Sequence, residues 1–320
     1  MKIVIYGGYG YGNLGDELIL DGILKILQKI YKNDDLLVFS LEPNETTRLH
    51  NVKSKKVNII DLIKSEKVIV GGGGLFFDAI MRSHVLLILV SKFLGKEVEI
   101  FRVGVSELTS KINRLLIKLA FNMADSISVR DEKSKSILRT YGVSKNIDVL
   151  DDPAYSIFDY SDELKKSSAK IEGIGISLRR INNKIVDKNT EDVFVEFINY
   201  VTNKYKIKVY FVVFCISKND PFENDLILAN TIKQRLKNKE EFITLVPKNT
   251  EDLVNVFRKF DIFIGMRLHS LIFSTTNNIP SIGIAYADKI KHAVRKNIKT
   301  IDLDDLSFKN LVSEFELVRN

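Results

Sequence analysis

Short, β-branched apolar runs alternate along the chain with longer stretches of helical periodicity. That alternation constrains the fold more than any other feature. The runs fall at residues 2–6, 36–41, 68–71, 98–103, 126–129 and 147–150, and again at 174–178, 209–214, 243–246, 262–264 and 281–285. Between them lie patterns such as Leu18, Ile19, Gly22, Ile23, Ile26, Leu27 and Ile30, or Ile112, Leu115, Leu116, Leu119 and Ala120, each spaced for one face of a helix. Further helical stretches cover 191–205 and 225–236. Strands separated by helices require parallel sheets with right-handed crossovers. The alternation pauses over a polar segment near 155–170 and then restarts. The expectation is an α/β protein of two Rossmann-like domains, residues 1–160 and 161–320, with parallel sheets facing a cleft. A last helix at about 305–319 fits either domain. The 320 residues, 45% of them hydrophobic, suffice for two such cores.

In parallel sheets, ligands bind beyond the carboxyl ends of strands, so the loops after the apolar runs carry the chemistry. The first contains Gly10-Tyr11-Gly12-Asn13-Leu14-Gly15, a formal dinucleotide fingerprint with Glu42 at the distance of a ribose-binding acid. The loop is too long for that turn, and Asp16 and Glu17 stand at the helix start, where they would repel a pyrophosphate. These acids either cap the helix or, with Asn13, hydrogen-bond neutral hydroxyls such as a sugar's. Tyr9-Gly10-Tyr11 suits either sugar stacking or packing. The second loop has four glycines, 71–74, more than a tight turn needs, which suggests a ligand-lining backbone at Gly72 and Gly73. Arg130 and Arg179 leave later strands. Each suits a carboxylate or phosphate, or is solvated or paired with a neighbouring acid.

The sharpest loop is Gly265-Met266-Arg267-Leu268-His269-Ser270. It puts a cation, a titratable imidazole and free backbone N–H groups at one helix N-terminus. That combination suits a phosphorylated substrate that also needs proton transfer. Lys289, after the next run, would reach the same region. His50, His84 and His292 are expected to lack such company. No Cys/His spacing for zinc and no Walker lysine is present.

Taken together, Gly12-Asn13-Leu14-Gly15-Asp16-Glu17, the glycine run, Val129-Arg130-Asp131 with Ser134, Asp152-Pro153-Ala154, the Met-Arg-Leu-His block and Tyr286 to Lys289 resemble the polysaccharide pyruvyl transferases. The resemblance covers nearly the whole chain. It implies a GT-B-like architecture and transfer of pyruvate from phosphoenolpyruvate to two hydroxyls of a sugar. The product is a cyclic ketal, and phosphate is released. The acceptor implied is a cell-surface glycan or its lipid-linked precursor, and no metal or organic cofactor is implied. It maps Arg130, Arg267, His269 and Lys289 onto the donor site. The reading of the loops adds Asp16 to His269 and Arg267 as the catalytic group, and Asn13, Gly72, Gly73 and Arg179 to Arg130 and Lys289 as substrate contacts. A GT-B glycosyltransferase using a nucleotide sugar is the alternative, with Asp288 as its ribose acid. A non-catalytic glycan-binding protein is a second alternative.

The remaining features bound the setting. Cys215 is the single cysteine, in an apolar run, so no disulfide forms within the chain and a reducing compartment is expected. The chain starts with a strand-like run, and its longest apolar stretch is too short for a bilayer. A cytoplasmic protein is therefore expected. The net charge of +7 comes from scattered basic residues without a nucleic-acid motif, so no nucleic-acid partner is expected. The basicity permits peripheral association with the inner face of a membrane.

Overall fold

A computed structural model gives the fold and describes residues 2–157, 171–217, 220–287, 290–291 and 298–319. The chain divides into two compact units, Met1–Tyr11 with Asp16–Ile157, and Gly12–Gly15 with Phe158–Asn320. The boundary expected at 160/161 lies outside the described residues.

The first unit holds strands β1 (Ile3–Tyr6), β2 (Leu36–Phe39), β3 (Lys53–Lys55), β4 (Lys67–Phe76), β5 (Glu97–Val105), β6 (Ser126–Val129) and β7 (Asp148–Val149). They form one parallel sheet in the order β3-β2-β1-β4-β5-β6-β7. Its helices are α1 (Leu14–Leu27), α2 (Pro43–His50), α3 (Ile59–Lys64), α4 (Met81–Phe93), α5 (Lys111–Met123) and α6 (Glu132–Thr140). The second unit holds β8 (Gly173–Ser177), β9 (Lys208–Val212), β10 (Phe242–Leu245), β11 (Ile262–Gly265), β12 (Ser281–Ala285) and β13 (Lys299–Asp302). These too are parallel, in the order β10-β9-β8-β11-β12-β13. Its helices are α7 (Lys184–Tyr205), α8 (Asp225–Arg235), α9 (Thr250–Phe257), α10 (Leu268–Thr276) and α11 (Phe308–Arg319).

The expected α/β class with two parallel sheets is what the chain forms, because the apolar runs of the inner strands, such as β1, β4, β8, β11 and β12, are buried on both faces of their sheets, as crossovers demand. Three details differ from the sequence reading. β3 reads Lys-Ser-Lys and β13 carries one buried residue, Ile301; both sit at sheet edges, where half the strand meets solvent and no apolar run is needed. β4 does not stop at Gly71 but continues through the glycines to Phe76. α11 packs on α7, β12 and β13, with Phe315 edge-on to Phe197 at 5.4 Å, and so belongs to the second unit. Among the described residues, no helix is long and apolar enough to cross a membrane.

Candidate functional site

In the second unit, strand order proceeds one way from β8 and the other way from β11, and the two strands are neighbours. Their carboxyl ends flank the point where the order reverses, the usual ligand position in such sheets. Arg179 follows β8 and Arg267 follows β11 as the residue capping α10. Arg267 is buried. Its Nη2 donates to Asp225 Oδ1 at 2.6 Å and its Nε to Oδ2 at 3.2 Å, while Nη1 lies 3.2 Å from Glu223 Oε2. Asp225, also buried, opens α8 and accepts the backbone N–H groups of Phe214 (3.1 Å) and Cys215 (2.9 Å). Burial works against the guanidinium charge, but the Asp225 carboxylate outweighs it and holds the group above its ordinary pKa. Arg267 is therefore charged at every working pH.

Glu223 links the two arginines. One carboxylate oxygen meets Arg267 and the other accepts from Arg179 Nη2. Arg179 also donates to Tyr286 Oη at 3.2 Å and lies over its ring, 5.1 Å from the centroid.

The Gly12–Gly15 segment belongs to this same unit. Leu14 N–H donates to Phe214 O at 2.7 Å and Ile216 N–H to Gly12 O at 2.9 Å, around an antiparallel bridge of Asn13 with Cys215. Asn13 Oδ1 accepts the Gly15 N–H at 3.0 Å, which turns the chain into α1. Gly15 lies against the half-buried His269 ring, where a Cβ would stand 2.5 Å from Nδ1. The two most specific sequence blocks thus meet in one unit through Gly15 and His269.

The first unit gathers the rest. Asp16 and Glu17 lie in the first turn of α1, favoured there by the helix dipole. The Asp16 carboxylate faces the glycine strand; a Cβ on Gly8 or Gly73 would stand 3.5 Å from one of its oxygens. Glu17 Oε1 accepts the Gly10 N–H at 2.9 Å, and its Oε2 meets His50 Nε2 at 2.7 Å. His50 Nδ1 meets Asp21 at 2.5 Å. Burial disfavours the imidazolium, but the bonds and charges of Asp21 and Glu17 outweigh it and push the pKa up to about 9. The expectation that His50 stands alone is corrected: α2 ends on it and delivers it between two acids of α1, a long-range pairing that spacing does not reveal.

The glycine run is likewise corrected from a loop to a strand. Gly72 and Gly73 sit at φ +76°, and a Cβ on Gly72 would come within 1.9 Å of Ile19. Close approach of α1 therefore explains Gly72, whereas Gly74 is exposed, with Arg130 Nη2 3.7 Å from its would-be Cβ. Arg130 is buried at the end of β6, its Nη1 donating to Asp152 at 3.0 Å. It lies across Gly104, where a Cβ would stand 2.7 Å from its Nε. The Asp152-Pro153-Ala154 block supplies that partner carboxylate. Asp225 and Glu223 carry no local sequence signal, because one opens a helical pattern and the other lies in a polar loop. Lys289 and Asp288 lie outside the described residues.

Comparison with known proteins places the fold. The chain is similar in structure to the UDP-GlcNAc 2-epimerase of Methanocaldococcus jannaschii solved with UDP-GlcNAc and UDP, at 15% identity and a TM-score of 0.63, covering 100% of this chain and 93% of the other. It is also similar to MurG of Acinetobacter baumannii (11% identity, TM-score 0.57, covering 100% and 91%). A third similar structure is the ADP-heptose lipopolysaccharide heptosyltransferase II of E. coli (14% identity, TM-score 0.52, covering 100% and 98%). At such identities the likeness establishes the GT-B-like fold. No curated protein matches the chain in sequence. The family model described as polysaccharide pyruvyl transferase matches residues 13–288, well over half of the chain, and the protein belongs to that family.

Proposed function

We propose that this chain transfers pyruvate from phosphoenolpyruvate to two hydroxyls of one sugar in a cell-surface glycan or its lipid-linked precursor, on the cytoplasmic side. The observation that carries the reading is the pair Arg179 and Arg267, which already share one carboxylate, that of Glu223, at the helix start bearing His269. Phosphoenolpyruvate presents a carboxylate and a phosphate close together and needs cations so arranged. In this reading the donor takes the place of Glu223 on the arginines.

The residues then divide the chemistry. Protonation of C3 turns the methylene into a methyl and makes C2 electrophilic. One acceptor hydroxyl adds to C2, the bond to phosphate breaks, and the second hydroxyl closes the ketal. Of the two hydroxyl protons, one balances the proton gained at C3 and the other leaves with phosphate. His269 acts as general acid–base or phosphate contact. Asp16 orients or deprotonates the acceptor. Arg130, Arg267 and Lys289 hold donor anions and stabilise the departing phosphate. Asn13, Gly72 and Gly73 line the site. The 1–160 region carries the acceptor side and 161–320 the donor side. No metal or organic cofactor enters.

Phosphate release from phosphoenolpyruvate, measured over a panel of lipid-linked and synthetic glycans, tests the reaction. His269→Ala is expected to lower turnover by roughly a thousandfold while the protein stays folded. Full activity in that variant overturns the assignment. Thermal stabilisation by a UDP- or GDP-sugar but not by phosphoenolpyruvate would favour a glycosyltransferase instead.

A further inference from the structure

α4 and α5 pack side by side on one face of the first unit's sheet. Arg82 Nε donates to Asn113 Oδ1 at 2.9 Å near one end, and Lys92 Nζ meets Asp125 at 2.7 Å near the other. Their inward residues, such as Val85, Ile88, Ile117 and Phe121, are buried in the core. Their outward faces are apolar as well. Phe93 is 90% and Leu86 63% exposed on α4, and Ile112 and Leu115 are each 65% exposed on α5, followed a turn later by Leu119. The right-handed crossover from β3 to β4 sets α3 on the same face, where it adds exposed Ile60 and Ile63. Lys96 Nζ ties the end of α3 to the turn after α4 by donating to Ile63 O at 2.6 Å. Isolated exposed leucines need no explanation, but parallel stripes on adjacent helices form a patch of the kind that marks an interaction site.

Charge identifies what the patch meets. α4 and α5 carry Arg82, Lys92, Lys111, Arg114 and Lys118 and no Asp or Glu. Among the described residues, only Lys92 of these has a carboxylate partner. Apolar stripes bordered by unneutralised cations match an anionic bilayer surface: the side chains enter the boundary below the headgroups and the cations remain at phosphate level. A second copy of the chain fits poorly, since a symmetric contact would set these cations against their own copies with no acid from either helix pair. We propose that the face formed by α4 and α5 docks the protein on anionic lipid. This goes beyond the reaction proposed above and does not depend on it.

Sedimentation of the full chain with phosphatidylcholine vesicles, with and without phosphatidylglycerol, tests the proposal without turnover. Binding is expected to need the anionic lipid and to fall with salt. Phe93→Ser with Leu115→Ser is expected to weaken it at least about tenfold. Lys111→Glu with Lys118→Glu removes two cations worth roughly fivefold each and is expected to abolish detectable binding. All four side chains are exposed, so both variants should unfold at the parental temperature. Absence of wild-type binding to anionic vesicles overturns the proposal, as does equal binding by the Phe93/Leu115 variant. A solution dimer dissolved by that variant overturns it too, assigning the face to a second copy.

Discussion

Each unit ends one of its strands in a buried arginine, and the two arginines are held differently. Arg267 after β11 has Nε and Nη2 on Asp225 and Nη1 on Glu223. Arg130 after β6 has one close carboxylate, Asp152 at 3.0 Å, while Asp131 stands 3.7 Å from Nε. That Nε is sealed from solvent and donates to no acceptor among the described residues. Two acids stand near each cation, so the difference is one of geometry and not of charge count. Arg267 is filled on every edge and braces the Phe214–Cys215 backbone through Asp225. Arg130 keeps an unfilled edge, with Nη2 near exposed Gly74. A buried donor left unmade costs about 1–3 kcal/mol, so folding alone gives no reason to keep it. The comparison teaches that Arg267 is first a strut and Arg130 is the arginine with bonding capacity in reserve.

The largest expected effect tests that distinction directly. Asp225→Asn leaves a buried guanidinium facing only the more exposed Glu223, and the second unit should lose about 3–5 kcal/mol. Asp152→Asn weakens a partner that already leaves the Arg130 fork incomplete, and the first unit should lose less, about 1–3 kcal/mol. Two units need not unfold together, so hydrogen exchange of peptides from β8 and β11 against those from β4 and β6 is the measure. Equal losses would erase the contrast between strut and reserve.

How much of this is legible in the sequence follows from the range of the interactions. The sheets are legible because β-branched runs and helix periodicity are local signals. Arg267 and His269 are legible because a strand end and a helix start lie within a few residues of them. Arg130 is legible for the same reason. Their partners are not. Asp225 lies 42 residues before Arg267, in a segment that reads only as helix, and Asp152 lies 22 residues after Arg130. The Gly-Asn-Leu-Gly block reads as a wall of the first unit by chain position. Yet its backbone pairs with residues 214–216, because a loop follows whichever partner satisfies its N–H and C=O groups. Glu17 and Asp21 show the same limit. Their spacing suits a capped helix, and only the fold brings His50 between them.

That histidine gives the next test, because each unit holds a cation between two carboxylates and only one of those cations titrates. An imidazole whose pKa rises on folding stabilises the fold fully below its unfolded value of 6.5, and that contribution disappears as the pH climbs through about 9. The shift corresponds to at most about 3 kcal/mol. Exchange protection of α2 and of the loop held through Gly10 should therefore fall between pH 7 and 10 once intrinsic exchange rates are corrected. The Asp225–Arg267 segment should not change. His50→Gln should make α2 equally labile at both pH values. A pH-independent α2 in the parent protein would show that the two acids do not hold a charged ring.

The smallest effect separates packing from access within the glycine run. Gly72→Ala puts a methyl at φ +76° into Ile19, combining backbone strain with overpacking, and should cost about 2 kcal/mol of first-unit stability. Gly74→Ala meets nothing closer than Arg130 Nη2 at 3.7 Å and should change stability by no more than about 0.5 kcal/mol. Its methyl stands instead beside the Arg130 fork. If that arginine contacts substrate, Gly74→Ala should raise the KM for phosphoenolpyruvate with little change in thermal unfolding. Gly72→Ala should then lower the unfolding temperature while leaving KM near the parental value. A Gly74→Ala enzyme with unaltered KM would place the reserve of Arg130 outside the reaction and leave it a strut of the first unit alone.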